Sequence, residues 1–488
     1  VGGLSLESVL SAQNSYITID VNGNIEQIGE QTSLIAGDDI FVFSNGYDIG
    51  SEAQYLTFSS GNGITANSGN GSVFLKGVDT NISTSKIFSN GNIGLIATGV
   101  GNVLIDDDLT TTGGYIDIVV NTALDLNHKL QAAGDITLQV NGAVTQNGYT
   151  DNALVSGANV YINTNSNTIG TDTNSVKVSA SGQVNAEGSD IYLGSKGADF
   201  NAGNITSSGE NIKITTEDSG QVNLKGLVTG KNLTVNSADG IYQSGTDKTI
   251  DVSNALVLNT TNNDIGRQDN AVIFKAGSVS ASATNGSIVL KGIDTDIHTS
   301  TIDAGKNIDL STELTDESLQ SGNIFVENNL VTSDGYINLD SAKALHIDKN
   351  IEAGHSITLN ANGGIEQVGS SQIKAGTSSD AQDGSVTITN NGSGNISLGS
   401  VSSQKSDVNI INNALNADVI LNSLVDASSG NVVIDAKGAI IQADSITGHA
   451  INAGGNINLT AQNDIGSASQ KITVNADGTV SAAGTGIY

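Results

Sequence analysis

A chain of 488 residues with 59 glycines and no proline, cysteine, methionine or tryptophan departs from ordinary globular usage, in which proline alone supplies about 5%. Its 50 acidic and 19 basic residues give a formal net charge of −31, which repels nucleic acid and anionic membranes. The missing cysteines exclude structural disulfides, thiol catalysis and cysteine-ligated metals; no apolar run approaches the ~20 residues of a spanning helix, so membrane insertion is not expected, and no signal peptide is recognisable.

Proline removes a ladder donor and is confined to strand starts, edges and bulges. Its absence predicts strands held almost everywhere inside one continuous ladder. An apolar fraction of 37% with only 4% aromatics calls for a narrow core of Ile, Val, Leu and Ala. The chain opens at Val1 in repeat-like sequence without an initiating methionine, which reads as a processed segment of a larger protein, uncapped at Val1 and Tyr488.

Taken in order, the predicted elements are short strands of alternating aliphatic and polar residues, a period that means one buried face. They include SYITID from Ser15, GNIGLIAT from Gly91, GYIDIVV from Gly114 and GDITLQV from Gly134. Later copies are NIKITT from Asn211, SIVLKG from Ser287, SITLNA from Ser356, NVVIDA from Asn431 and NINLTA from Asn456. Adjacent copies recur at a short period of coil length, with Gly, Asn, Asp and Ser in the turns. Ile17, Ile19, Ile116, Ile118, Ile136, Leu138, Ile357 and Leu359 are predicted to face inward, and corner asparagines to hydrogen-bond the asparagines above and below.

A longer repeat lies over this one, with copies beginning near residues 15, 134, 231, 355 and 430. A glutamine follows a strand at Gln27, Gln146, Gln243, Gln367 and Gln442. In four of the five copies a DIG or TIG turn follows at an offset constant to within one position, pairing Gln27 with Ile49, Gln146 with Ile169, Gln243 with Ile265 and Gln442 with Ile465. Lys-Gly-x-Asp then begins at Lys76, Lys196 and Lys291. The interval from Gln27 to Gln146 exceeds that from Gln146 to Gln243 by one short repeat, and the latter exceeds the interval from Gln367 to Gln442 by the same amount. Stacked coils tolerate gain or loss of a whole coil. A period this short does not fit βαβ units of roughly 30 or more residues. The expected fold is therefore all-β: a single parallel β-helix (β-solenoid) over 1–488, of about 20–24 coils with about 20–24 residues each. Right-handedness follows the hand of parallel crossovers. A coil spacing of about 4.8 Å makes it a rod on the order of 100 Å long.

These GNI-x-L strands, DIG turns and glycine–asparagine corners resemble the central repeats of filamentous-haemagglutinin-type adhesins and related giant bacterial surface proteins, over essentially the whole chain. The resemblance implies an extracellular, secreted rod at the bacterial surface, a shaft that holds a binding tip away from the cell. Contact with a host or neighbouring cell would be made by regions outside this chain.

The chemistry-bearing residues are few. Lys-Gly-x-Asp offers Lys76 with Asp79, Lys196 with Asp199 and Lys291 with Asp294 as acid–base pairs, but active sites are single and structural devices recur, so a repeated turn with a local ion pair is expected. Asp106, Asp107 and Asp108 are the candidate calcium ligands, with Asp38 and Asp39 a lesser pair, although neither the nonapeptide of calcium-binding β-rolls nor the EF-hand spacing occurs. His128, His298, His346, His355 and His449 lack metal-ligand spacing and are placed at solvent-facing positions. Tyr47, Tyr55 and Tyr115 are either lateral contact points or coil packing. The expectation is a non-catalytic shaft without cofactor other than calcium. The rival is a self-assembling filament, sheath or surface layer in which rods pack end to end or laterally; a polysaccharide-active β-helix enzyme stands third.

Overall fold

The computed structural model describes residues 2–146, 154–379 and 383–488, so the predicted end at Val1 lies outside the described residues. These residues form strands, turns and bends without a helix, and the parallel strands stack in about 21 turns of β-solenoid. Two units are distinguished, Val1–Ala238 and Asp239–Tyr488. Among the described residues no helix is long and apolar enough to cross a membrane.

Within the first unit a representative coil consists of the strands Val103–Ile105, Leu109–Thr111 and Ile116–Val120. Each pairs in parallel with its counterpart one coil on, Leu124–Leu126, Leu130–Gln131 and Ile136–Val140. The same three-strand coil recurs in the second unit, for example as Leu345–Ile347, Ile351–Ala353 and Ile357–Ala361. Alternation puts one aliphatic of each strand at the same height in every coil, and in-register pairing stacks them into columns. Ile308, Ile337, Ile357, Val386, Val408, Val432 and Ile457 form one such column, and none has measurable exposure. Burying each side chain contributes about 1.5–3 kcal/mol, so the core is a set of aliphatic stacks, and all eight residues predicted to face inward are buried.

At the corners the backbone turns out of the ladder and leaves an N–H to be satisfied. A side-chain oxygen from the preceding coil accepts it. Asn24 accepts from the Asp48 N–H, Asp48 from Ser72, Ser72 from Asn92 and Asn92 from Tyr115, at 2.7–3.3 Å. Amide-to-amide contacts of the predicted corner kind also occur, Asn413 to Asn391 and Asn45 to Asn22, both at 3.0 Å, and others join strand positions, Asn223 to Asn201 at 3.0 Å and Asn475 to Asn452 at 2.7 Å. The side-chain-to-backbone form, open to Asp and Ser as well as Asn, runs alongside them.

The long repeat resolves into one device. In the four copies with a DIG or TIG turn, the turn isoleucine bridges the residue two before the glutamine: Ile25 with Ile49, Val144 with Ile169, Ile241 with Ile265, and Ile440 with Ile465. The following glycine has φ between 66° and 72°, and a side chain on Gly266 would place its Cβ 2.2 Å from the Val289 carbonyl oxygen. The chain then leaves the coil in a loop closed by a backbone pair, Ser51 with Gln54, Thr171 with Asn174, Arg267 with Asn270 and Ser467 with Gln470. Where it re-enters, the backbone N–H of Thr57, Lys177, Ile273 or Thr473 donates to the glutamine Oε1. The Gln367 copy, which lacks the turn, accepts instead from the Gly399 N–H.

Coil length varies more widely than the sequence period predicts. Val272 pairs with Leu290, a coil shorter than the expected range, because the loop after Gly266 lies outside the paired path. Ile308 pairs with Ile337 and Ile357 with Val386, coils longer than that range; in the first, residues 314–323 leave the ladder between two strands.

Candidate functional site

Each Lys-Gly-x-Asp motif is followed by a strand of eight residues, Ile82–Ser89, Phe200–Ser207 and Ile297–Ala304. Each carries a one-residue bulge against the preceding coil, at Ser85, Gly203–Asn204 and Ser300. In the next coil the single strand is replaced by two short ones separated by a corner. Those corners are 106–108, 225–227 and 327–329. The aspartate triplet is therefore one version of a recurrent corner whose other versions read Lys-Gly-Leu and Glu-Asn-Asn.

Within that corner the three carboxylates part company. Asp106 is exposed and accepts from the Ser83 hydroxyl at 2.7 Å and the Asn127 amide at 2.9 Å, a coil-to-coil bridge. Asp107 Oδ1 accepts from the Asp108 N–H at 2.7 Å. Asp107, Asp108 and His128 of the next coil each offer one ligand atom within 4.8 Å of the others, and His128 Nδ1 lies 3.8 Å from Asp108. The chemistry on offer is two carboxylates and an imidazole on a half-exposed corner. Calcium takes about 6–8 oxygen ligands, so most would have to be water; imidazole suits a transition ion better. The histidine had no signal in the sequence, because it lies a whole coil beyond Asp108 and only the coil register joins them. Of the lesser pair, Asp38 accepts from the Asn62 amide at 2.9 Å, again a coil-to-coil contact.

The expected Lys-Gly-x-Asp turn is only partly present: in two copies Lys-Gly-x is the end of a paired strand, Val73–Val78 and Ile288–Ile293, and only the aspartate enters the turn, whereas in the middle copy the strand ends at Lys196. In the Lys291 copy the ion pair is not internal. Lys291 Nζ pairs with Glu313 of the next coil, and Asp294 accepts from the Thr315 N–H at 2.7 Å and its hydroxyl at 2.6 Å. Those two bonds hold the Asp294 carboxyl below its ordinary range. Asp79 and Asp294 have positive φ, 49° and 51°, a conformation that aspartate tolerates better than most residues. In the middle copy Gly197 carries it instead, at 64°.

The histidines are less scattered than their spacing suggests. His298, Phe325 and His346 occupy one outward column and stack with ring centroids 4.5 and 4.8 Å apart and interplanar angles of 5° and 6°. His298 lies 3.1 Å from Glu327 and His346 3.6 Å from Glu366. His355 faces two carboxylates, Asp334 at 3.5 Å and Asp383 at 3.4 Å. Tyr55 packs edge-on against Phe74 at 5.4 Å. Burial, then Asp117, Tyr115 and Glu52, push its phenol up to about 12. Asp117 beneath it has a buried oxygen without a hydrogen-bond partner, and burial first, then Glu52, raises its carboxyl above the ordinary 3.8.

No family model, no curated protein and no solved structure matches this chain.

Proposed function

We propose that this chain is a non-catalytic rod of a secreted bacterial surface protein, an extended adhesin-type shaft or spacer outside the cell. One observation carries the reading: the motifs with the most chemical promise are used up by coil construction. The recurrent glutamines act as staples, the DIG turns launch their loops, and Lys-Gly-x-Asp opens each bulged strand. A repeat whose polar residues serve its own stacking suits a spacer, because reach then scales with coil number.

Negative-stain electron microscopy of the native material, with and without a calcium chelator, tests the rod against self-assembly. Isolated thin rods under both conditions are expected. Ordered filaments or sheets would replace the spacer with a self-assembling material, and their dissolution on chelation would make calcium a bridging ion between acidic surfaces.

A further inference from the structure

Beyond the spacer reading, one outer face of the first unit has the make-up of a ligand site. A groove of about 880 Å³ crosses several coils there. Two outward rows form its floor: Thr137, Tyr161 and Asn185 in one, Gln139, Asn163, Glu187 and Thr206 in the other. Tyr161 is 41% exposed. The groove reaches the bulge at Gly203–Asn204, where the Asn204 N–H donates to Asn185 Oδ1 at 2.9 Å. A side chain at Gly203 would bring its Cβ within 2.5 Å of that oxygen. The corresponding bulges elsewhere carry Ser85 and Ser300; of the three, only this one has a glycine, which leaves Asn185 its place. Bulges re-aim side chains and are over-represented beside active sites.

We propose that this groove binds a linear, neutral oligosaccharide. A pyranose has apolar C–H faces and a rim of hydroxyls, and the groove answers both. The Tyr161 ring offers an aromatic surface with a polar tip. The amides of Gln139, Asn163 and Asn185 and the Glu187 carboxylate offer donors and acceptors around it, with Asn163 and Glu187 already held together at 3.0 Å. Coils repeat every ~4.8 Å, so equivalent polar groups recur at a step close to the length of one sugar residue in an extended chain. Charge selects among glycans: among the described residues Glu187 alone lines the groove with a charge at neutral pH, with no lysine or arginine beside it, and the chain bears −31. Polyanionic saccharides are repelled. A peptide is disfavoured because the lining strands are already paired in parallel on both sides, which leaves no edge for strand addition.

The test is calorimetric titration of the whole chain with cellohexaose, chitohexaose and maltohexaose, and with hexagalacturonate as the anionic counterpart. At least one neutral hexasaccharide is expected to bind with a Kd of about 1 mM or tighter. Tyr161→Ala should weaken binding about tenfold, the value of one aromatic contact, while Tyr161→Phe retains most of it. Gln139→Ala, on an exposed side chain, reads the site without touching the ring, and Tyr47→Ala should change nothing. Circular dichroism confirms that each variant keeps its β content. The proposal is overturned if no neutral hexasaccharide binds at about 10 mM, if Tyr161→Ala and Gln139→Ala bind as the parent does, or if hexagalacturonate binds more tightly.

Discussion

Replacing Gln243 by alanine separates a structural staple from an ornamental repeat. The Gln243 side chain is 5% exposed and makes four hydrogen bonds. Its Nε2 donates to the carbonyls of Gly245 at 3.1 Å and Asp247 at 2.8 Å, and its Oε1 accepts from the Thr249 hydroxyl at 2.8 Å and the Ile273 N–H at 2.9 Å. Gly245 and Asp247 are exposed, so water can replace the lost donor at little cost. Thr249 and Ile273 are buried, 5% and 6% exposed, and water cannot reach them without opening the coil. Two buried groups left unsatisfied at about 1–3 kcal/mol each give a loss of roughly 3–4 kcal/mol. In a stacked-coil protein the loss should stay local. Native-state hydrogen exchange should accelerate by roughly two to three orders of magnitude at Thr249 and Ile273 and stay unchanged at Ile337 or Ile434. Acceleration below about threefold at the two sites, or an equal effect at all four, would refute the reasoning.

Three further outcomes follow from the same geometry. Gly266→Ala, at φ 72° with Val289 O 2.2 Å from the new Cβ, should cost at least about 2–4 kcal/mol in denaturant unfolding, whereas Gly245→Ala, at φ 96° with open space, should cost only the left-handed penalty of about 1–2 kcal/mol. Asp117→Asn should stabilise at neutral pH by about 1 kcal/mol. A carboxyl raised by burial favours the fold below its unfolded value and loses that contribution as pH rises through the raised one, so the gain should vanish below about pH 3.8 in paired unfolding curves. Phe325→Ala removes both ring contacts with His298 and His346, worth about 1–2 kcal/mol together, and a midpoint unchanged from that of the parent would mean the half-exposed stack contributes nothing.

The inward residues, the parallel solenoid and the Gln-to-Ile offset are legible in the sequence because each is a period, and a ladder enforces periods. What the offset does is not legible. Gln243 and Ile273 lie more than a coil apart in the chain, and nothing local says that a polar side chain turns inward to meet a backbone N–H. The same limit explains the candidate metal site. Asp106–Asp108 stand out as a run, yet the structure draws Asp106 away to Ser83 and Asn127 and joins the other two to His128. Residues adjacent in the chain diverge at a corner, and residues one coil apart converge. The groove at Tyr161 was hidden for the same reason, since its rows are assembled from successive coils.

The corner contacts also bear on what the charge means. Asp48 accepts the Ser72 N–H at 2.7 Å, Asp407 that of Asn431 at 2.7 Å and Asp418 that of Ala439 at 2.7 Å. Asn24, Asn395 and Asn456 occupy the same role at 3.3, 2.8 and 2.9 Å. The geometry needs a short side chain with an oxygen acceptor, and Asn and Asp meet that need alike; the carboxylate adds a charge-assisted bond. Only the charge differs, and a corner half open to water tolerates it. Part of the acidic excess can thus accumulate one corner at a time without selection for an anionic surface. An adhesive or assembly role should therefore be sought at side chains that are not committed to the next coil, such as Gln139 and Tyr161, rather than at their neighbours Asn163 and Asn185, which are.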